Sequence, residues 1–267
     1  MLKDITIGQY FPGESVIHRL DARFKIIFSV LAAAMLFTAQ NFMGLGIAAV
    51  FIFMCFAVSG IRFKMILKSL KPIIPLIIFT GILNLFFIRG EEILFSFGFI
   101  TIYTEGAKMS AFMVTRIITL IIGMSLLTYT SSPIMLTDAI ESLLAPLKKL
   151  RFPVHELAMM MMIALRFIPL LIEETDKIIM AQKARGANLD AKGLIKKAKA
   201  LIPILIPLFI SAFKRANELA LAMECRCYKG GEGRTRLKKL QSSALDYFAL
   251  GLVLCVFGLI ITNNMVF

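Results

Sequence analysis

Long apolar runs are the feature that most limits what this chain can fold into. The four runs before Thr130 contain no aspartate or glutamate, and each approaches the roughly 20 residues that cross a bilayer core as a helix. Lipid offers backbone groups no hydrogen-bond partners, so such segments cross as helices. The sequence therefore predicts an all-α, polytopic helical membrane protein, and its 58% hydrophobic content agrees. The five predicted crossings cover residues 26–39, 42–60, 72–88, 107–129 and 246–263.

Basic residues in the loops predict the orientation of these crossings. The turn at Gln40-Asn41 carries no charge, whereas the segments before the first crossing and after the second are basic, and basic loops stay in the cytoplasm. We therefore expect a multi-pass protein of the cell (inner or plasma) membrane with a cytoplasmic N-terminus and an extracytoplasmic C-terminus. The net charge of +13 follows from this topology, and no nucleic-acid-binding motif accompanies it. The basic residues are Arg19, Arg23 and Lys25 before the first crossing and Arg62, Lys64, Lys68 and Lys71 after the second.

The chain divides into three predicted regions. Residues 1–130 form an N-terminal membrane domain of four transmembrane helices, residues 131–241 a cytoplasmic or interfacial domain, and residues 242–267 a C-terminal transmembrane helix. Within the first region, the segment from Glu91 to Glu105 is too short and interrupted for a crossing. Its partial alternation around Gly98 predicts a small extracytoplasmic hairpin.

Residues 131–241 are predicted to form long helices that do not cross the membrane. The apolar stretches 157–172 and 201–213 are short and are interrupted by Arg166 and by prolines. If both crossed, the basic stretch between them would lie outside, against the charge rule. The proline-containing part around Pro203 and Pro207 reads as a hinge or as a kinked helix. Three helices are expected, from Pro133 to Leu150 with Ser132 as N-cap, from Val154 to Ala184, and from Leu201 to Arg226.

The second and third of these helices end alike, in small residues followed by an arginine. Residues four and seven before Arg185 and Arg226 are small or aliphatic, and these positions share a helix face with the arginine. Two interpretations stay open. Arginine complements the dipole at a helix end, where Gly186 suits a left-handed C-cap. Alternatively, each tip enters a groove of a partner and presents its guanidinium to carboxylates or carbonyls.

Paired helices ending in Ala184-Arg185-Gly186 and Cys225-Arg226-Cys227 resemble the coupling helices of the T component of energy-coupling factor transporters. The opening residues Gly8–Ser15 and His18–Lys25 are similar to that family's opening, so the resemblance covers essentially the whole chain. The second triplet keeps only its arginine. The resemblance implies a scaffold that docks through both triplets on two ABC-type ATPases. It also implies that the scaffold holds a small substrate-binding membrane S component, either a single one or one of several interchangeable ones. It also implies no catalysis and no cofactor, since ATP is bound by the partners. The expected ATPase-contacting residues are Ala184, Arg185, Gly186, Cys225, Arg226 and Cys227.

Other functions remain as alternatives. A self-sufficient secondary carrier would be expected to show inverted repeats and intramembrane carboxylates, and a membrane enzyme would need clustered catalytic groups. A T component dedicated to cobalt, nickel or biotin uptake would share the same coupling helices. A structural zinc site needs four suitable ligands, and besides Cys225-x-Cys227 the chain offers only two histidines, His18 and His155, so no metal site is expected. Arg116, within a crossing and with Lys108 nearer the external end, is expected to pair with a carbonyl or to have a functional role.

Overall fold

The computed structural model describes residues 10–97, 100–187, 193–231 and 241–266. These residues form two compact units, one from residue 140 to 231 and the other from residues 10–139 and 241–266. The region boundary predicted at residue 130 coincides with the end of a helix at Thr130. The unit of residues 140–231 begins ten residues later. The helices are α1 (Val16–Arg19), α2 (Ala22–Thr38), α3 (Phe42–Ser59), α4 (Phe63–Leu70), α5 (Ile74–Phe87), α6 (Thr104–Thr130), α7 (Pro133–Leu144), α8 (Val154–Ala184), α9 (Leu194–Cys225) and α10 (Ala244–Val266).

The helical content confirms the all-α, polytopic fold class. Within the described residues, six helical segments are long and apolar enough to cross a membrane: Phe42–Ser59, Phe63–Phe87, Thr104–Thr130, Val154–Ala184, Lys199–Cys225 and Ala244–Met265. Four coincide with predicted crossings. The first predicted crossing lies on α2, which has 17 residues and so is at the short end of the spanning range.

Two of the six segments, Val154–Ala184 and Lys199–Cys225, lie in the region that the sequence analysis keeps in the cytoplasm. In the sequence, Arg166 and the prolines read as interruptions of short apolar stretches. In the structure each helix continues through these residues. Length and composition therefore permit more than five crossings, and the cytoplasmic placement of these helices stays a prediction.

The bundle of α2, α3, α6 and α10 forms the core of the larger unit. In α3, Leu45, Ala48, Ile52 and Phe56 are buried, and their spacing of three or four residues places them on one helix face. They pack with buried residues of the other helices, such as Ile122 of α6. The remaining side of α3 is apolar but exposed, as expected for a helix that faces lipid.

Polar contacts join three helices at one end of this bundle. The Asp246 carboxylate at the start of α10 accepts hydrogen bonds from the backbone N–H of Asp21 (2.9 Å) and of Ser243 (2.7 Å). Asp21 caps α2 by accepting from the N–H of Arg23. The Lys25 ammonium donates to the carbonyl of Thr130 at the end of α6, at 2.9 Å. These contacts place the starts of α2 and α10 beside the end of α6.

The opposite end of α2 is capped by side chains from two other helices. The last carbonyls of a helix have no partner within it, and an apolar environment makes that costly. The carbonyl of Thr38 accepts from the amide of Asn264 in α10, and that of Ala39 accepts from the guanidinium of Arg116 in α6. Arg116 also lies 4.6 Å above the centre of the Phe112 ring. The expected carbonyl partner of Arg116 is thus confirmed.

The segment between α5 and α6 forms the predicted hairpin. Strands β1 (Ile93–Phe97) and β2 (Ile100–Tyr103) pair antiparallel, with Ile93 opposite Tyr103 and Phe97 opposite Ile100. Gly98, which lies at the expected turn, is outside the described residues.

The long helices of the second half follow the predicted order, with differences in extent at the end of the first and at the start of the third. Ser132 caps α7 by accepting from the N–H of Met135 at 3.3 Å, and α8 has the predicted bounds. Helix α7 ends at Leu144, and a 3-10 segment continues to Leu150. The predicted start of the third helix at Leu201 is wrong, because α9 begins at Leu194 and contains Pro203 and Pro207 in its interior. The stretch around these prolines is therefore helix throughout.

Candidate partner-docking helices

Helix α8 ends in a Schellman motif built on Gly186. The N–H of Ala187 donates to the carbonyl of Gln182, and the N–H of Gly186 donates to that of Lys183, both at 3.0 Å. This is the paired pattern of a left-handed helix terminus. Gly186 has a φ of +85°, which a residue without a Cβ adopts at no steric cost. The predicted C-cap role of Gly186 is confirmed, and Arg185 occupies the cap position.

Helix α9 ends in the same motif without a glycine. The N–H of Tyr228 donates to the carbonyl of Met223 at 3.0 Å, and that of Cys227 to Glu224 at 2.8 Å. Cys227 takes the left-handed position with a φ of +56°, and Arg226 is the cap. The second triplet thus differs from the first in sequence but matches it in backbone geometry.

An ion pair joins the two helices in the C-terminal half of each. The Arg215 guanidinium of α9 lies 3.1 Å from the Glu174 carboxylate of α8. Glu174 precedes Arg185 by eleven residues, and Arg215 precedes Arg226 by eleven. At 1.5 Å per residue, each arginine tip lies about 16 Å along its helix from the ion pair. The two helices therefore extend as two arms of equal length, each ending in the same motif.

All six predicted docking residues are exposed, and so are many apolar side chains along the two helices. In α8 only Val154 and Ala158 are buried, and in α9 the only described residue that is buried is Ile204. Exposed apolar surface of this extent marks contact with a membrane or a partner. The exposed apolar residues include Met160, Met162, Ile168, Leu170 and Met180 of α8 and Leu201, Leu205, Phe209, Ile210 and Phe213 of α9.

The chain that follows α9 packs against the start of α8. A Cβ at Gly231 would lie 2.7 Å from the His155 ring, so glycine permits this approach. On its other side, His155 Nδ1 lies 3.0 Å from the buried Glu141 carboxylate. The sequence patterns predict neither the His155–Glu141 pair nor the Glu174–Arg215 pair. The only available signal for the second pair is that each of its members precedes a tip arginine by eleven residues.

The described residues contain no group of three or more His, Cys, Asp or Glu side chains placed to hold a metal ion. Cys225 and Cys227 are both exposed free thiols. Each of the two helix tips, residues 184–186 and 225–227, presents a guanidinium, small side chains and a tightly turned backbone. Such a surface suits contact with another protein.

Comparison with known proteins assigns the family. The model of the CbiQ family, described as cobalt transport protein, matches residues 13–237. The energy-coupling factor transporter transmembrane protein EcfT of Clostridium kluyveri is 55% identical over 250 residues, 93% of each chain. The EcfT of Ruminiclostridium cellulolyticum is 50% identical over the full length of both chains, and that of Bacillus subtilis is 46% identical over 92% of this chain and 93% of its own. This chain therefore belongs to the CbiQ-like family of energy-coupling factor transporter transmembrane proteins.

Proposed function

We propose that this chain is the coupling scaffold of an ATP-driven micronutrient importer. Its two helix tips dock on two ABC-type ATPases, and its other surfaces hold a substrate-binding S component in the membrane. The chain itself carries out no chemistry, and ATP is bound and hydrolysed by the ATPases. The family membership supports the transporter setting, and the geometry of α8 and α9 supports the mechanical role.

The observation that carries this proposal is the pair of equal arms. Two similar ATPases offer two similar grooves, and a scaffold that engages both needs two matched contacts. Arg185 and Arg226 lie in the same cap position of the same motif, eleven residues beyond Glu174 and Arg215. A movement of either ATPase would be transmitted through a helix and the ion pair to the other arm.

The arginines are expected to supply the contact energy at each tip. In the isolated chain both are exposed, so the guanidinium is fully hydrated. In a groove it would be desolvated and bonded to carboxylates or carbonyls. Truncation of one partner of a buried charge pair costs about 2–5 kcal/mol in binding, so Arg185→Ala and Arg226→Ala should each weaken ATPase binding strongly.

The test is purification of the tagged chain in mild detergent with identification of everything that accompanies it. We expect two ABC ATPases and one or more small membrane proteins with the wild type, and loss of the ATPases from the Arg185→Ala/Arg226→Ala variant. The matched control is Lys183→Ala/Lys229→Ala, which removes two exposed charges near the same tips and should retain the ATPases.

The other outcomes separate the alternatives. Unchanged ATPase recovery and substrate uptake in the double arginine variant would contradict the docking role. Recovery of the chain alone, with ion-gradient-driven uptake after reconstitution, would indicate a secondary carrier. Turnover of a substrate by the purified chain would indicate an enzyme. Among the scaffold outcomes, one constant membrane partner indicates a dedicated system, such as a cobalt, nickel or biotin importer, and several partners indicate a shared module.

A further inference from the structure

A cavity of about 620 Å³ lies at the end of the bundle where α2 is followed by α3 and where α6 begins. Its wall is divided between two kinds of residue. One half is apolar and includes Phe37, Phe42 and Phe112, and the other half consists of Gln40, Asn41, Glu105, Lys108 and Arg116. A cavity whose wall combines apolar and charged residues fits an amphiphile better than a fully polar solute.

The charge of the polar half favours an anion. Lys108 and Arg116 lie eight residues apart in α6, about 12 Å along the axis and on neighbouring faces. Side chains of a helix lean toward its N-terminus, so both cations lean the same way and stay about 12 Å apart along the axis. Glu105 is the only acidic residue of the wall, which leaves one net positive charge.

Neither cation has a carboxylate partner among the described residues. The Arg116 guanidinium contacts the Ala39 carbonyl, the Phe112 ring and the Met113 thioether, and no ion pair joins Lys108 to a described acidic residue. A cation at the margin of a membrane without an acidic partner attracts anionic headgroups. The amides of Gln40 and Asn41 add hydrogen-bond donors and acceptors suited to phosphate or glycerol oxygens.

We propose that this cavity binds the phosphodiester headgroup of an anionic phospholipid. Lys108 faces the phosphate, Arg116 adds positive charge about 12 Å further along α6, and the apolar residues of the wall hold the first part of an acyl chain. The loop charges place this end of the bundle on the extracytoplasmic side, so the lipid belongs to that leaflet. The proposal concerns the larger unit alone and does not depend on any transport partner.

The experiment compares phosphatidylglycerol with phosphatidylcholine on the purified full-length chain by native mass spectrometry. Lys108→Gln is the informative variant, because Lys108 is exposed and its loss leaves the cap of α2 intact. Lys71→Gln is the matched control, since Lys71 is an exposed lysine outside this wall. A basic residue near a lipid surface contributes about 1 kcal/mol, so Lys108→Gln should weaken phosphatidylglycerol binding about fivefold, and Lys108→Arg should restore it.

Each outcome decides the proposal. Preferential retention of phosphatidylglycerol by the wild type and by Lys71→Gln, with the loss confined to Lys108→Gln, supports it. Equal retention of both lipids, or equal weakening in the two glutamine variants, would overturn it. A third arm adds inorganic phosphate at millimolar concentration: displacement of the lipid by phosphate would overturn the lipid assignment and indicate a site for small anions.

Discussion

Arg116 donates a hydrogen bond to the Ala39 carbonyl and stacks on Phe112 within the bundle. Arg116→Leu would leave that carbonyl unsatisfied in an apolar environment, which costs about 1–3 kcal/mol. We expect a lower melting temperature for the purified chain. Arg116→Lys should recover part of the loss, because an ammonium still donates but does not stack as a planar group.

Arg166→Leu is the control for this prediction, since it removes an exposed arginine of α8. Thermal unfolding in one detergent, followed by circular dichroism, measures all three variants. Equal melting temperatures for Arg116→Leu and the wild type would show that the helix-capping bond contributes nothing to stability.

Cys227 adopts a left-handed conformation that costs residues with a Cβ about 1–2 kcal/mol. Cys227→Gly should keep the α9 terminus intact, because glycine has no such cost. Cys227→Val should open it, because a β-branched residue is strongly disfavoured at positive φ, and a destabilisation of about 1 kcal/mol corresponds to roughly fivefold faster exchange. Hydrogen exchange of the Cys227 and Tyr228 amides measures the effect.

Cys225→Val is the matched control, since Cys225 is the last residue of α9 and is exposed. It should leave those amides protected. Equally faster exchange in Cys225→Val and Cys227→Val would mean that the loss of a thiol, and not the left-handed position, controls this helix end.

At the scale of single residues, the sequence predicted the roles that follow from local chemistry. Glycine after a helix indicates a left-handed cap, so Gly186 was identified, and an arginine within an apolar run needs a polar partner, so a carbonyl was expected for Arg116. Cys227 was not foreseen in the left-handed position, because cysteine carries no preference for it. Its alignment with Gly186 in the internal repeat was the available signal.

The arms of α8 and α9, measured from the ion pair to Arg185 and Arg226, have equal length only while the Glu174 and Arg215 side chains remain paired. Both side chains are partly exposed, so the pair contributes at most about 1 kcal/mol to stability. Its effect on docking should be larger, because it sets where both tips lie. We expect Glu174→Arg and Arg215→Glu singly to reduce ATP-driven uptake several-fold, and the charge-reversed double variant to restore it.

The same geometry predicts the effect of lengthening one arm. Seven alanines inserted between Glu174 and Arg185 extend α8 by about 10 Å while nearly preserving its rotation. We expect loss of one ATPase contact and of uptake, with partial recovery when α9 is lengthened equally between Arg215 and Arg226. Normal ATPase recovery and uptake after a single insertion would show that arm length is unimportant.

At the scale of elements, the sequence predicts the presence of the helices better than the residues at which they begin and end. The bounds of α8 were predicted because Pro153 and Gly186 are clear signals at its two ends. The predicted start of α9 is seven residues late, because it coincides with the start of the apolar stretch at Leu201, whereas the helix also includes the lysine-rich residues 194–200. Proline removes one backbone donor and crowds the preceding turn, but the long apolar surface on both sides keeps the helix continuous. Such support depends on tertiary or membrane contacts that local sequence does not report.

At the scale of the whole molecule, hydropathy predicted the fold class and most crossings. The arrangement of helices in the bundle could not be predicted, because it depends on contacts between residues far apart in the chain. Asp21 and Asp246, for example, are joined by a hydrogen bond across 225 positions. Nothing in either local sequence identifies the other as its partner.

This polar junction makes the stability of the larger unit depend on pH in acid. Burial alone would raise the pKa of the Asp21 carboxyl, but the hydrogen bonds and charge of Arg23, with the charge of Lys25, outweigh burial and hold that pKa below 3.8. The folded state thus favours the ionised carboxylate. Asp21 contributes stability above the pKa of the unfolded chain, and this contribution is lost as pH falls through the lower folded-state pKa.

Asp21→Asn isolates this contribution, because asparagine also caps a helix but does not ionise. We expect the free energy of unfolding of the wild type to fall more steeply than that of Asp21→Asn between about pH 5 and about pH 3. Denaturant titrations at several pH values in this range measure the difference. The exposed carboxylate of Glu14 provides the control, and Glu14→Gln should follow the wild-type profile. Parallel profiles for Asp21→Asn and the wild type would contradict the argument, because the Asp21–Arg23 ion pair would then add no stability to the junction of α2 with α10.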